Sequence, residues 1–114
     1  MEVVHLYTIL LTKETWQVSN KLVVTRHPVL LQYLKDKGYV PQDVAHIPHA
    51  DIRDVEGKHV FGILPLWLAS HCDKLTEVQL RLPRDKRGSE LTMEDMHNFA
   101  KSPLRTYEIK EISR

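Results

Sequence analysis

The sequence predicts a small three-layer α/β domain with a mainly parallel sheet and an added amino-terminal hairpin or strand. Three observations carry this expectation. The strand signal Leu22-Val23-Val24 is followed by Pro28 and a helical run, and the same unit recurs where Val60 to Leu64 is followed by Pro65 and a second helical run. The second of these strands is almost continuously apolar, as expected of a strand covered on both faces. A chain of 114 residues is long enough for a compact core and too short for two ordinary domains, so residues 1–114 are read as a single domain, with 1–20 as an extension and 21–100 as the main part.

Val3 to Leu11 is rich in β-branched and aromatic types and is assigned a strand; Thr15 to Val18 adds a second extended piece, making an amino-terminal hairpin. Lys21 to Thr25 is the next strand. Pro28 then sits where a helix tolerates a missing N–H, in its first turn, and Leu30, Leu31, Tyr33 and Leu34 form one apolar face before the stop at Gly38. Val44 to Ile47 reads as a short strand, and the polar stretch Pro48 to Lys58 as a connection with room for one helical turn. His59 to Leu64 is a strand, and Pro65 opens a helix over Leu66 to Cys72. Glu77 to Leu82 alternates Val78, Leu80 and Leu82 with Gln79 and Arg81, a strand pattern, before the polar loop Pro83 to Glu90. Leu91 to Ala100 is a helix with Thr92 as N-cap and Asp95 three residues on, and Arg105 to Ile112 an edge strand. Crossovers between parallel strands are expected to be right-handed.

The 16 Lys and Arg nearly cancel the 15 Asp and Glu, so the formal charge of +1 argues against a general coat for long nucleic acid and directs attention to local clusters. A single cysteine, Cys72, makes no internal disulfide and no four-cysteine zinc site. The apolar runs fall short of the roughly 20 residues that cross a bilayer, and acidic Glu2 stands where a secretory signal carries positive charge. A cytoplasmic protein without membrane partners is expected.

In open α/β sheets, ligands bind beyond the carboxyl ends of the strands, near the switch in strand order. That rule singles out Thr25-Arg26-His27-Pro28, Leu64-Pro65 and the stretch from Arg81 to Glu90. The first combines a hydroxyl, a fixed cation and an imidazole at a helix start, an assembly able to hold a phosphate and move a proton. The third holds Arg81, Arg84, Lys86 and Arg87 against the one acid Asp85, up to Gly88, and guanidinium groups pair with phosphate oxygens at two points. It is read equally well as a solvated loop, and Gly88 as a plain turn. His46, His49, His59 and His71, with Asp51, Asp54 and Cys72, raise a metal reading, but Pro48 interrupts a helix between the first two and no HExxH or paired CxxC spacing occurs. Ser70, His71 and Cys72 are sequence neighbours that point in different directions on a helix, so no nucleophile triad is indicated. Neither GxGxxG nor a P-loop motif is present.

Taken in order, Val23-Val24-Thr25-Arg26-His27-Pro28, Gly62-Ile63-Leu64-Pro65-Leu66-Trp67-Leu68-Ala69 and Leu80 to Thr92, with its Arg87-Gly88-Ser89-Glu90-Leu91 element, resemble the small CRISPR-associated VVA-type family found beside type III systems. The resemblance covers roughly residues 21 to 100. It implies a Rossmann-type homodimer and a ring nuclease that opens cyclic tetra-adenylate to linear oligoadenylates, switching off the antiviral signal. It also implies work without metal or other cofactor, the ribose 2′-hydroxyl attacking its own 3′-phosphodiester. On this reading Arg26 and Arg87 stabilise phosphate charge and His27 is the general acid or base. Thr25, Pro65, Arg81, Arg84 and Gly88 are the supporting substrate contacts. The alternative is a non-catalytic sensor or sponge using the same crevice. A metal-dependent nuclease built on Asp51 and Asp54, or a structural partner of a CRISPR complex, are further readings.

Overall fold

The computed structural model describes residues 20–100 and 104–113, so the amino-terminal hairpin expected within 1–19 lies outside the described residues. In chain order the elements are β1 (Lys21–Val24), α1 (Pro28–Asp36), β2 (Ala45–Ile47), α2 (Ile52–Val55), β3 (His59–Gly62), α3 (Leu66–Ala69), β4 (Lys74–Glu77), α4 (Met93–Phe99) and β5 (Arg105–Tyr107), with a 3₁₀ turn at Arg84–Lys86. They build one sheet in the order β2-β1-β3-β4-β5. β1 pairs in parallel with β2 and β3, and β3 with β4, whereas β5 is antiparallel to β4.

Successive strand residues point to opposite faces, and each face has its own core. Leu22 and Val24 of β1, Val60 of β3 and Leu75 of β4 pack with Val55 and with Leu68 and Ala69, from α2 and α3. Val23 and Phe61 face the other way, into Leu30, Tyr33 and Leu34 of α1 and Met96 of α4. The α/β sandwich is therefore three layers, as the sequence predicts. The spacing of Leu30, Tyr33 and Leu34 is what places α1 there, and full burial of Leu34 contributes roughly 1.5–3 kcal/mol. The crossover from β1 to β2 carries α1 on one face, and the crossovers running the other way, to β3 and β4, carry α2 and α3 on the opposite face. A constant crossover hand requires that exchange of faces when the direction reverses.

One strand departs from expectation. The sequence pattern puts it at Glu77 to Leu82, but the sheet takes Lys74–Glu77. Only Leu75 is a buried aliphatic in that span. Thr76 is buried through its hydroxyl, which shares short hydrogen bonds with His59 Nε2 at 2.6 Å and Thr106 Oγ1 at 2.7 Å. The alternating residues beyond it serve elsewhere: Val78 joins the core beside α1, and Leu80 makes an isolated bridge to Ala100. Several ends are also shorter than the pattern indicates. β3 stops at Gly62, α3 at Ala69 and α4 at Phe99, while β5 covers only Arg105–Tyr107 of the expected Arg105 to Ile112.

Candidate functional site

Strand order reverses between β1 and β3, because the chain leaves β1 toward β2 and later passes β1 to place β3 on its other side. The connections after these strands diverge and leave an opening at their carboxyl ends. A crevice of about 870 Å³ lies there.

Its first wall is Thr25-Arg26-His27. Thr25 is held three ways: its N–H donates to Ile47 O at 3.1 Å, its carbonyl accepts from His46 Nε2 at 3.0 Å, and its Oγ1 accepts the His27 N–H at 3.1 Å. Because a carbonyl can only accept, His46 carries its proton on Nε2. Thr25 is buried, whereas Arg26 and His27 are exposed and line the crevice. The helix start offers an anion less than the motif promises. His27 is the N-cap without a side-chain cap bond, its own N–H is spent on Thr25, and Pro28 has none.

The second wall follows β3. Gly62 has φ +145°, and a Cβ there would collide with the carbonyl oxygen of its β1 partner Val24. Only glycine lets the two strand ends lie this close beside the crevice. Pro65 then caps α3 and accepts the Leu68 and Ala69 N–H groups, at 3.0 and 2.9 Å. Ile63, Pro65 and Trp67 line the opening.

The third wall is the polar loop, through Leu80, Leu82, Gly88, Ser89 and Leu91. Gly88, at φ +85°, makes the turn that brings this segment over the crevice. Lys86 Nζ lies 3.3 Å from Asp95 Oδ1, fastening the loop to α4, and the Arg81 N–H donates to Phe99 O at 3.0 Å. The Thr92 backbone N–H, with Lys86, holds the Asp95 carboxyl below its usual value. Of the residues singled out from sequence, Thr25, Arg26, His27, Pro65 and Gly88 thus meet at one crevice. Arg81, Arg84 and Arg87 are exposed on the same loop but are not among its lining residues, although Gly88 and Ser89, next to Arg87, are.

Among the described residues, no aspartate or glutamate lines the crevice and Arg26 is its one fixed charge. An anion entering it meets a cation and imidazoles without a competing carboxylate. Ser89 lines it too, within the stretch the sequence singles out, as do Trp67 and His49, to which the sequence reading assigns no such position. His49 enters that reading only as a metal ligand. For Trp67 the available signal was its place two residues after Pro65, at the start of a helix that follows a strand.

The carboxylates of the metal reading have another task. Asp51 Oδ1 accepts from Asp54 N at 3.1 Å and Asp54 Oδ2 from Asp51 N at 2.9 Å, a reciprocal capping box for α2. Among the described residues, no group of three or more His, Cys, Asp and Glu is placed to hold a metal ion. Ser70 Oγ donates to Trp67 O at 2.8 Å and Cys72 Sγ to Ala69 O at 2.9 Å, and burial pushes the Cys72 thiol up. No described helix is long and apolar enough to cross a membrane.

Fold and site together define a small doubly wound α/β protein with a cation-bearing crevice at its switch point. The chain belongs to the CRISPR-associated protein family designated Cas_VVA1548, whose family model matches residues 22–110. That span contains every lining residue of the crevice. No curated protein and no solved structure matches the chain.

Proposed function

We propose that the protein is a ring nuclease that opens cyclic tetra-adenylate and so ends type III CRISPR antiviral signalling. The observation that carries this reading is the pairing of Arg26 and His27, both exposed and lining a crevice with no carboxylate among its described lining residues, in a chain of a CRISPR-associated family. A phosphodiester needs a cation at its non-bridging oxygens and a group that can move a proton.

In the proposed reaction a ribose 2′-oxygen attacks the adjacent phosphorus in line. The O2′–P bond forms, the P–O5′ bond breaks, and the products are a 2′,3′-cyclic phosphate and a 5′-hydroxyl, with no water consumed. The 2′-hydroxyl proton leaves and the 5′-oxygen gains one. His27 serves as the general acid or base for one of these transfers, and Arg26 stabilises the charge gathering on phosphorus, joined by Arg87 from the loop edge. Thr25 acts through the backbone, by fixing the two residues that follow it, and Pro65 and Gly88 shape the opposing walls. Arg81 and Arg84 supply a positive rim that draws the ligand in. A ring with two-fold symmetry suits two such crevices in a homodimer.

The test is incubation of the protein with a several-fold excess of cyclic tetra-adenylate in EDTA, with products resolved over time. Conversion of the excess to linear adenylates is expected. Ring retained intact would assign a sensor or sponge instead, and no binding would overturn the cyclic nucleotide reading.

A further inference from the structure

One wall of the crevice has no use for a phosphate. Trp67 and Ile63 line it and yet are 63% and 71% exposed, whereas most other large apolar side chains among the described residues lie in or against the two cores. The reason lies in α3, which buries Leu68 and Ala69 against the sheet and so turns Leu66 and Trp67 outward. The Ser70 Oγ bond to the Trp67 carbonyl fixes the backbone beneath the indole. Leu66 is 73% exposed on the same turn but is not among the lining residues.

The crevice is thus two-sided, with Arg26 and His27 on one wall and an indole on the other. A free phosphate or a sugar would satisfy only the first. A ligand that uses both carries an anion and a flat apolar ring, which is the constitution of a nucleotide. We propose that Trp67 is the platform on which a nucleobase of the bound nucleotide stacks. The assignment rests on the reading that nucleotides enter this crevice, and adds the residue that recognises their bases.

The experiment uses a Trp16→Phe background, which leaves Trp67 as the sole tryptophan of the two in the sequence. Its emission is followed during titration with AMP, with ribose 5-phosphate and with cyclic tetra-adenylate. Affinity for the ring is measured in parallel for W67A, W67F and L66A. Stacking is worth about 1–3 kcal/mol per base, so W67A is expected to weaken ring binding by about 5- to 150-fold, with W67F retaining most of the affinity and L66A all of it. AMP and the ring should quench Trp67; ribose 5-phosphate should not. Ring bound by W67A as tightly as by the wild type, or emission indifferent to AMP, overturns the platform and leaves the ring nuclease standing. Quenching by AMP alone, with no binding of the ring, keeps the platform and sinks the ring nuclease. Emission that tracks protein concentration but not AMP means that a second copy covers the indole, and also overturns the platform.

Discussion

Three hydrogen bonds hold Thr25, whereas Arg26 and His27 are exposed, the division that the proposed reaction needs between a residue that positions and residues that act. His27→Ala is expected to leave ring affinity near the wild-type value and to lower single-turnover cleavage by about 10²- to 10⁴-fold, the usual contribution of a general acid or base. Arg26→Ala should differ in kind. It should weaken binding and reduce its dependence on salt, because one phosphate contact is lost. Salt titration of both variants separates the two roles. Gly62 illustrates a different constraint at this scale: its φ of +145° and its contact with the Val24 carbonyl leave no room for a side chain. Gly62→Ala should cost more than the roughly 1–3 kcal/mol of backbone strain alone, read as a lowered urea midpoint.

Among the elements, α4 joins stability to the site. Thr92 Oγ1 accepts the Asp95 N–H and Asp95 Oδ2 accepts the Thr92 N–H, both at 3.1 Å, and the same Asp95 receives Lys86 of the basic loop. Thr92→Ala is expected to cost about 1 kcal/mol in chemical denaturation, and to raise amide exchange in Arg84–Lys86 as the Asp95 anchor loosens. This capping box was legible in the sequence, as were α1 with its Pro28 entry and the strands β1 and β3, because each is marked by local spacing and by residues with one strong preference. β4 was not legible. Its buried Thr76 is polar and acquires partners, His59 and Thr106, only from other strands, whereas the alternating Val78-Gln79-Leu80-Arg81-Leu82 imitates a strand while its apolar members serve the core and the crevice. The crevice was legible at three corners, Thr25 to His27, Pro65 and Gly88. Trp67 was missed because an aromatic at helical spacing has the same sequence signature whether it faces a core or an opening.

For the whole molecule, two of the described groups, His59 and Asp95, tie stability to pH on the acid side. His59 lies beside Thr76 and stacks on Phe61 at 4.4 Å, and burial, then the charges of Lys21 and Lys74, lower its pKa from 6.5. A depressed imidazole favours the neutral form in the fold, so the native state takes up fewer protons than the unfolded chain. Stability is therefore present above about pH 6.5 and lost as pH falls from there through the folded value. Asp95 is lowered from 3.8, which favours its charged form; its contribution is present above the unfolded value and is lost as pH falls through the folded one. Urea midpoints measured across pH should fall in two windows, one below about 6.5 and one below about 3.8. His59→Gln should flatten the first, and Asp95→Asn the second.

By itself the sequence determined the α/β class, the alternation of strand and helix, the caps and the chemically able residues after β1, because apolar period, proline position and capping pairs act over a few neighbouring residues. Only the tertiary structure decided the strand order, and with it the switch point between β1 and β3 where those residues meet. It also left the arginines of the basic loop off the crevice lining and turned Trp67 toward the opening. These outcomes depend on which distant segments pack together, through contacts such as Gly62 against Val24 and Asp95 with Lys86, and no local pattern encodes them.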